Sequence, residues 1–360
     1  MADNEQDIFR ELRAMLADPA SYPEAPRKVE VIETHISCVF LTEMVVYKLK
    51  KPVRFEFVDF STAEARRHAC EEEVRLNRRL ARDTYLGVVP IMRDATGRLA
   101  LGGDGEAVDW VVAMRRLPAE RMLDMRMRDG SVTESDVTDL AQVLGDFYAA
   151  APAMAVDPED YREELEAHVR ANCADLSAAT KNDELTRVRR SHAAQLQFLA
   201  LHAPALNARV RSGRVIDGHG DLRPEHVCLT EPPVVFDCLE FDARLRRLDV
   251  ADELSFFVME CDRLGAGRIG RQVRAACLVR CGDAPPAQLL HFYQAYRACV
   301  RAKVAALRAK QLSGDARTEA RREMADYLRL ADEYGRDFSR PLLVVVSGLM
   351  GSGKSTLARA

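Results

Sequence analysis

Apolar residues recur at every second position along Lys28–Phe60, KVEVIETHISCVFLTEMVVYKLKKPVRFEFVDF, a stretch dense in Val, Ile, Phe and Tyr. Successive side chains of a strand point to opposite faces, so this period predicts three or four antiparallel strands. The period then lengthens. Thr62–Arg82, TAEARRHACEEEVRLNRRLAR, reads as a charged helix, and two more strands follow at Val88–Met92 and Val108–Met114, around the turn-rich LGGDGEA. Before the strands, residues 5–17 form a short amphipathic pattern closed off by Pro19, Pro23 and Pro26.

Beyond Pro118 the pattern is helical. Ser131-Val-Thr-Glu134 has the form of a capping box and predicts a helix running to about Ala151. Further helices fit Pro158–Leu176, Glu184–Leu201, Asp249–Arg263, Arg268–Val279, Pro286–Leu312 and Arg317–Phe338, with a β-like insert at Val215–Phe241. The last helix carries so few apolar residues that it reads as a linker. The expected organisation is a helix and lead-in over 1–27, then a small lobe of antiparallel sheet plus one helix over 28–117. A helical lobe over 118–312 carries the insert 215–242, a helical linker covers 313–340, and a new unit opens at 341.

That unit begins with the apolar, β-branched run Leu342–Val346, followed by Gly348, Gly353, Lys354 and Ser355 at the spacing G-x-x-x-x-G-K-[ST]. Glycines there let backbone N–H groups curl around phosphate, the lysine reaches terminal phosphates and the serine offers an oxygen to Mg²⁺. Only five residues follow Ser355. The expectation is the truncated start of an α/β P-loop kinase domain, poorly ordered for want of a sheet partner.

Composition narrows the function classes. With 48% hydrophobic and 30% charged residues the chain can bury a core, and its net charge of −4 argues against a nucleic-acid partner. The start, MADNEQDIFRELRAML, lacks a basic and then apolar leader, and no apolar run reaches membrane-spanning length. Nine scattered cysteines without C-x-x-C pairs read as reduced thiols, with Cys277 and Cys281 buried on a helix rather than ligating metal. A cytoplasmic protein without membrane or nucleic-acid partners is expected.

Chemistry concentrates in the insert. His219-Gly220-Asp221-Leu222 followed by His226 nearly repeats H-x-D-L-x-x-x-N, with His in the final place, and Asp237 ends an apolar run sixteen residues after Asp221. Phosphoryl transfer needs such a pair: one carboxylate for the acceptor hydroxyl, another to hold Mg²⁺ against the phosphates. Upstream, MVVYKLK places Lys48 and Lys50 on one strand face. Lys48 can contact nucleotide phosphates while pairing with a Glu of the next helix. Of Glu71, Glu72 and Glu73, Glu73 shares a face with Cys70 and Val74. The strand VDWVVAMRRLP follows as a hinge between lobes. Bland readings are given to other charges: Asp249 as an N-cap, Asp252 as a first-turn acid, and Arg297, Arg301, Lys303 and Arg308 as a solvated helix face in preference to an anionic-substrate surface.

Together VYKLKKPVRFEFVDFST, EEEVRLNRRL, VVAMRRLP, GHGDLRPEHVCL and VVFDCLEFDARLRRLDVADELSFF resemble the aminoglycoside phosphotransferase-like branch of the protein-kinase-like fold, from Lys28 to about Leu312. The whole chain looks like bacterial bifunctional proteins that join such a domain to a P-loop kinase. The resemblance implies a two-lobed α+β fold with ATP between the lobes and adenine near Met114, Arg115 and Leu117. It also implies Asp237 as metal ligand and Asp221 as catalytic, and His219 of the same His-Gly-Asp motif is taken as catalytic with it. No glycine-rich loop occupies the first hairpin, where THISCVFLTEM stands and Ser37 is a substitute. His226 has three readings: a ligand that favours Mn²⁺ over Mg²⁺, a hydrogen-bond partner of Asp221 that leaves Mg²⁺ to Asp237, Glu240 and water, or a loop histidine packed on Pro224. ATP-dependent phosphorylation of a hydroxyl on a small molecule is the leading expectation. A non-catalytic nucleotide-binding module that regulates a P-loop kinase is the alternative.

Overall fold

The computed structural model describes residues 2–55 and 58–339. The P-loop motif with Gly348, Gly353, Lys354 and Ser355, and the expected strand before it, lie outside the described residues.

In the small lobe, helix α1 (Ala2–Ala17) precedes strands β1 (Glu30–Glu33), β2 (Ser37–Leu41), β3 (Val45–Lys50), β4 (Arg54–Phe55) and β5 (Val58–Asp59). Helix α2 (Ala63–Asn77) and strands β6 (Tyr85–Arg93), β7 (Leu99–Leu101) and β8 (Glu106–Arg115) complete it. Six strands form an antiparallel sheet in the order β1-β2-β3-β8-β6-β7, while β4 and β5 pair as a separate hairpin. The period-two pattern is what builds this sheet. Cys38, Phe40, Tyr47, Leu49, Ile91 and Val111 point to one face and are buried there, with Leu12 and Leu16 of α1 and Tyr22 packed on them. The amphipathic start is thus core of the small lobe. On the other face lies α2, started by Thr62, whose side chain accepts from the Ala65 N–H. Cys70 and Val74 of that helix meet Val112 and Met114 of β8.

The large lobe begins with α3 (Leu123–Arg128), α4 (Glu134–Ala150), α5 (Pro158–Ala179), α6 (Asn182–Leu201) and α7 (Ala203–Arg211). The insert comprises β9 (Val215–Asp217), β10 (Val227–Cys228), β11 (Val234–Val235), α8 (Ala243–Arg246) and β12 (Arg247–Asp249). Helices α9 (Val250–Arg263), α10 (Gly267–Arg280), α11 (Ala287–Gln311) and α12 (Gly314–Phe338) close the lobe. The cap of α4 differs from expectation: Thr133 is the N-cap and forms a reciprocal box with Asp136, two residues later than Ser131 and Glu134 would place it. Asp249 caps α9 as expected, accepting from the Ala251 N–H.

Helix α12 is no linker. Met324, Tyr327, Leu328, Ala331 and Phe338 are buried in the main core, with Phe198 of α6 and Phe292 of α11 stacked at 4.6 Å and Phe338 set edge-on to both. Its apolar residues are few but fall in phase on one stripe, which is what burial requires. The basic stretch of α11 is also misread as a solvated face. Arg297 is buried and grips Asp252 of α9 with two hydrogen bonds, at 2.8 and 2.5 Å. Asp252 stands in the first turn of α9, as expected, and is in addition half of a buried ion pair. Arg301, largely buried, bonds Glu260 at 3.1 Å, and Arg308 bonds Glu323 of α12 at 3.0 Å. Cys277 is buried and Cys281 half-buried, both as free thiols. Among the described residues no helix is long and apolar enough to cross a membrane.

Candidate active site

Strand β3 lies between β2 and β8, with Lys48 paired in register to Val39 on one side and Val112 on the other. Its ammonium is held 2.9 Å from Glu73 Oε1 on α2 and 2.8 Å from Asp237 Oδ1 in the large lobe. Glu73 is buried, and on α2 it is the acid that points to β3, while Glu72 pairs outward with Arg75. Lys50, two residues on and fully buried, reaches the other oxygen of Glu73 at 2.7 Å and Glu240 at 2.5 Å. Burial alone would strip the proton from Lys48, but Asp237 and Glu73 outweigh it and hold its pKa well above the usual lysine range. Burial would likewise raise Asp237 and Glu73; Lys48 reverses both, so both carboxylates stay ionised.

The segment carrying Asp237 is fixed at each residue. Phe236 N–H donates to the His226 carbonyl, Asp237 N–H to the Tyr85 hydroxyl, Cys238 N–H to Asn77 Oδ1 and Leu239 N–H to the His219 carbonyl. Asp237 sits at φ 61°, in the left-handed region that a non-glycine residue enters at a cost. Four backbone hydrogen bonds along the segment and the ion pair with Lys48 hold it there.

Asp221 follows Gly220, whose φ of 84° turns the chain so that the carboxylate leaves the core. A Cβ on that glycine would press on Arg246 and Leu239 at 3.2 Å. The turn is pinned from beneath by Glu253 of α9, which accepts from His219 N–H at 3.1 Å, from Gly220 N–H at 2.5 Å and from the Tyr148 hydroxyl at 2.9 Å. Sequence reasoning passed over Glu253. The available signal was weak: Glu253 directly precedes the apolar run LSFFVM, and an acid buried beside such a run needs hydrogen-bond partners. His219 is buried, with one ring nitrogen 2.9 Å from the Phe236 carbonyl, and stands under the loop rather than facing the cleft. Burial foremost, then His226, lowers its pKa to about 4, so the ring is neutral.

His226 lies between the two aspartates. Nδ1 is 2.9 Å from the Asp221 carbonyl, which can only accept, so Nδ1 carries the proton. Nε2 is 3.0 Å from Arg223 Nη2, which can only donate, so the Nε2 lone pair is taken. Nδ1 also stands 3.6 Å from Asp221 Oδ2, and Nε2 3.5 Å from Asp237 Oδ2. Of the three readings, the partnership with Asp221 is the one the geometry carries, through its backbone. Arg223 in turn donates to Asp221 Oδ2 at 2.9 Å. Burial would raise Asp221, yet Arg223, His226 and Arg301 together lower it, so it is ionised at neutral pH.

The remaining predicted residues fall where the lobes join. Met114 is buried with Val46, Tyr85 and, across the lobes, Val234 and Phe236, while Arg115 is exposed and Leu117 half-buried. Ser37 does not present itself to the cleft: it is fully buried and its hydroxyl has no partner among the described residues. Instead the first hairpin turn closes on itself through Thr34, whose N–H donates to the Ser37 carbonyl at 2.8 Å, and Ile36 packs toward Phe60 and Phe241. No cluster of three or more His, Cys, Asp or Glu poised for a metal occurs among the described residues. Asp237 fits Mg²⁺ nonetheless, because that ion commonly takes one or two carboxylates and completes its shell with phosphates and water.

Against known proteins, residues 45–288 match the family model described as "Phosphotransferase enzyme family". Uncharacterized proteins from Mycobacterium tuberculosis and Mycobacterium bovis are 34% identical over 337 residues, which is 92% of this chain. The chain spans 64% of the length of those relatives. Among solved structures, the GDP complex of aminoglycoside 2'-phosphotransferase-IIIa aligns at TM-score 0.48 and 14% identity, over 91% of this chain and 98% of that one. A glucosamine kinase aligns at 0.44 and 15%, over 90% and 79%. A choline/ethanolamine kinase family protein from Mesorhizobium loti aligns at 0.47 and 12%, over 90% and 99%. At these scores the assignment rests on the family model and not on the structural alignments.

Proposed function

The chain belongs to the Phosphotransferase enzyme family, and from that membership we propose that it transfers the γ-phosphoryl group of ATP to a hydroxyl of a small molecule. The observation that carries the reading is the meeting of Lys48, Glu73 and Asp237 across the lobe boundary, with His226 bonded to the Asp221 carbonyl and its other ring nitrogen 3.5 Å from Asp237 Oδ2. Nucleotide phosphates enter where Lys48 now touches Asp237, and the adenine takes the apolar junction near Met114, Arg115 and Leu117. Asp237 would hold Mg²⁺, which would neutralise charge on the phosphate oxygens. Asp221 accepts the hydrogen bond of the acceptor hydroxyl and orients its oxygen toward the γ-phosphorus. The new O–P bond forms as the bond from the γ-phosphorus to the β,γ-bridging oxygen breaks. ADP leaves with that electron pair, and the hydroxyl proton passes to Asp221. A carboxylate kept ionised by Arg223 is a weak base, so this proton moves late, as suits a loose transition state. His219 and Glu253 hold the loop and touch no substrate.

With both ring nitrogens of His226 engaged, Mg²⁺ is preferred to Mn²⁺ in this reading. The motif at Gly348, Gly353, Lys354 and Ser355 supports a P-loop kinase unit as a partner of this domain. A nucleotide-binding module without turnover is opposed by the complete set of Lys48, Asp221 and Asp237. The test is ATP consumption by the purified chain with Mg²⁺ over a panel of amino alcohols, amino sugars and polyols. Acceptor-dependent ADP release supports transfer; tight ATP binding without turnover on any acceptor supports the regulatory module.

A further inference from the structure

A kinase-like site needs one strand lysine, held by one helix glutamate. This strand has two, and the second is the more deeply buried. Lys50 has no exposure at all, its ammonium lies 5.2 Å from the centre of the Phe60 ring, and it can reach no ligand from there. It bonds Glu73 Oε2 at 2.7 Å and Glu240 Oε1 at 2.5 Å, while Lys48 bonds Glu73 Oε1 at 2.9 Å and Asp237 Oδ1 at 2.8 Å. The five side chains therefore form one line of alternating charge: Asp237, Lys48, Glu73, Lys50, Glu240. Its two ends lie three residues apart on the same strained segment of the large lobe. Exposure falls from 41% at Asp237 through 13% at Lys48 to 1% at Glu73 and none at Lys50, with Glu240 at 5%.

Resting on the phosphotransferase reading, we propose that Lys50 is a positioning residue that sets both halves of the nucleotide–metal site. Phosphates entering the cleft draw Lys48 away from Asp237. Lys50 then remains on Glu73 and keeps that carboxylate aimed at Lys48. Through Glu240 it also holds the segment that carries Asp237. Without Lys50, Glu73 would keep only Lys48 and Glu240 would lose the cation it pairs with, leaving Glu240 free to compete with Asp237 for the metal. Buried partners behind a metal-holding group characteristically change affinity about 10- to 100-fold when removed.

The experiment measures Mg²⁺–ADP affinity by titration calorimetry, together with thermal unfolding, for wild type, Lys50→Met, and Lys50→Met combined with Glu240→Gln. The double variant removes the stranded charge, so it should fold like wild type and still bind Mg²⁺–ADP about 10- to 100-fold more weakly. Metal-free ADP should lose less affinity than Mg²⁺–ADP, because half of the effect passes through Asp237. If the double variant folds and binds Mg²⁺–ADP as wild type does, the proposal is overturned. It is equally overturned if the double variant does not fold, since Lys50 then supports the fold and not the site. A wild-type chain that binds no nucleotide contradicts the phosphotransferase reading itself, a separate outcome.

Discussion

Two aspartates of the same cleft are given different surroundings, and that difference predicts different phenotypes. Asp221 is paired with Arg223, whereas Asp237 is paired with Lys48; on the proposed function the first serves the acceptor and the second the phosphates. Asp221→Asn should keep Mg²⁺–ATP affinity and lower turnover about 10²- to 10⁴-fold, the usual effect of removing a positioned base. Asp237→Asn should weaken Mg²⁺–ATP binding as well as turnover. Calorimetry paired with phosphate release separates the two, and equal binding defects would contradict the assignment. His219 makes a prediction about pH. Its folded pKa is lowered to about 4 from 6.5, so between those values the unfolded chain binds a proton that the folded chain refuses. Its contribution is complete above about pH 6.5 and is lost as pH falls toward 4, at about 1.4 kcal/mol per unit at most. Urea denaturation across that window should be steeper in pH for wild type than for His219→Asn; parallel curves would show that His219 is not the group responsible.

At the scale of elements, the ion pairs that tie helices together matter more than their number suggests. Arg297 of α11 holds Asp252 of α9 where neither side chain is more than one-tenth exposed. Arg297→Met leaves a buried carboxylate alone and should cost about 3–5 kcal/mol in urea denaturation, most of which Arg297→Met with Asp252→Leu should recover. An additive double variant would mean that the two side chains are not coupled. Helix α12 contributes Tyr327, whose hydroxyl donates to Glu260 of α9 at 2.8 Å, so deleting this helix removes a wall of the core.

For the molecule as a whole, the site exists only because the two lobes close on each other. Arg79, just beyond α2, donates to the Asp217 and Gly218 carbonyls of the large lobe at 2.8 and 2.7 Å, and Lys48 meets Asp237 beside this pin. Nucleotide bound between the lobes should therefore depend on the small-lobe lysine. Lys48→Ala should weaken ATP binding at least about tenfold, while Lys354→Ala in this chain should leave it within about twofold, by calorimetry. The reverse ranking would move the nucleotide to the P-loop motif.

What could be read in advance follows the range of the interactions. Period-two alternation predicted most small-lobe strands, though five stand over 30–59 in place of three or four and β7 was missed. Strand and helix phase singled out Lys48 and Glu73, which the structure brings to Asp237, because side-chain direction along one element is a local property. Choosing Glu73 over Glu71 and Glu72 needed only the apolar neighbours Cys70 and Val74. Composition misled where phase mattered, as in α12, whose charged sequence hides one buried stripe. The partners of charges were beyond reach. Arg297 with Asp252, Glu253 beneath His219 and Gly220, and Lys50 between Glu73 and Glu240 join residues 23 to 190 positions apart. A charge in a sequence looks the same whether water or a carboxylate faces it, and only the packing of distant elements decides which.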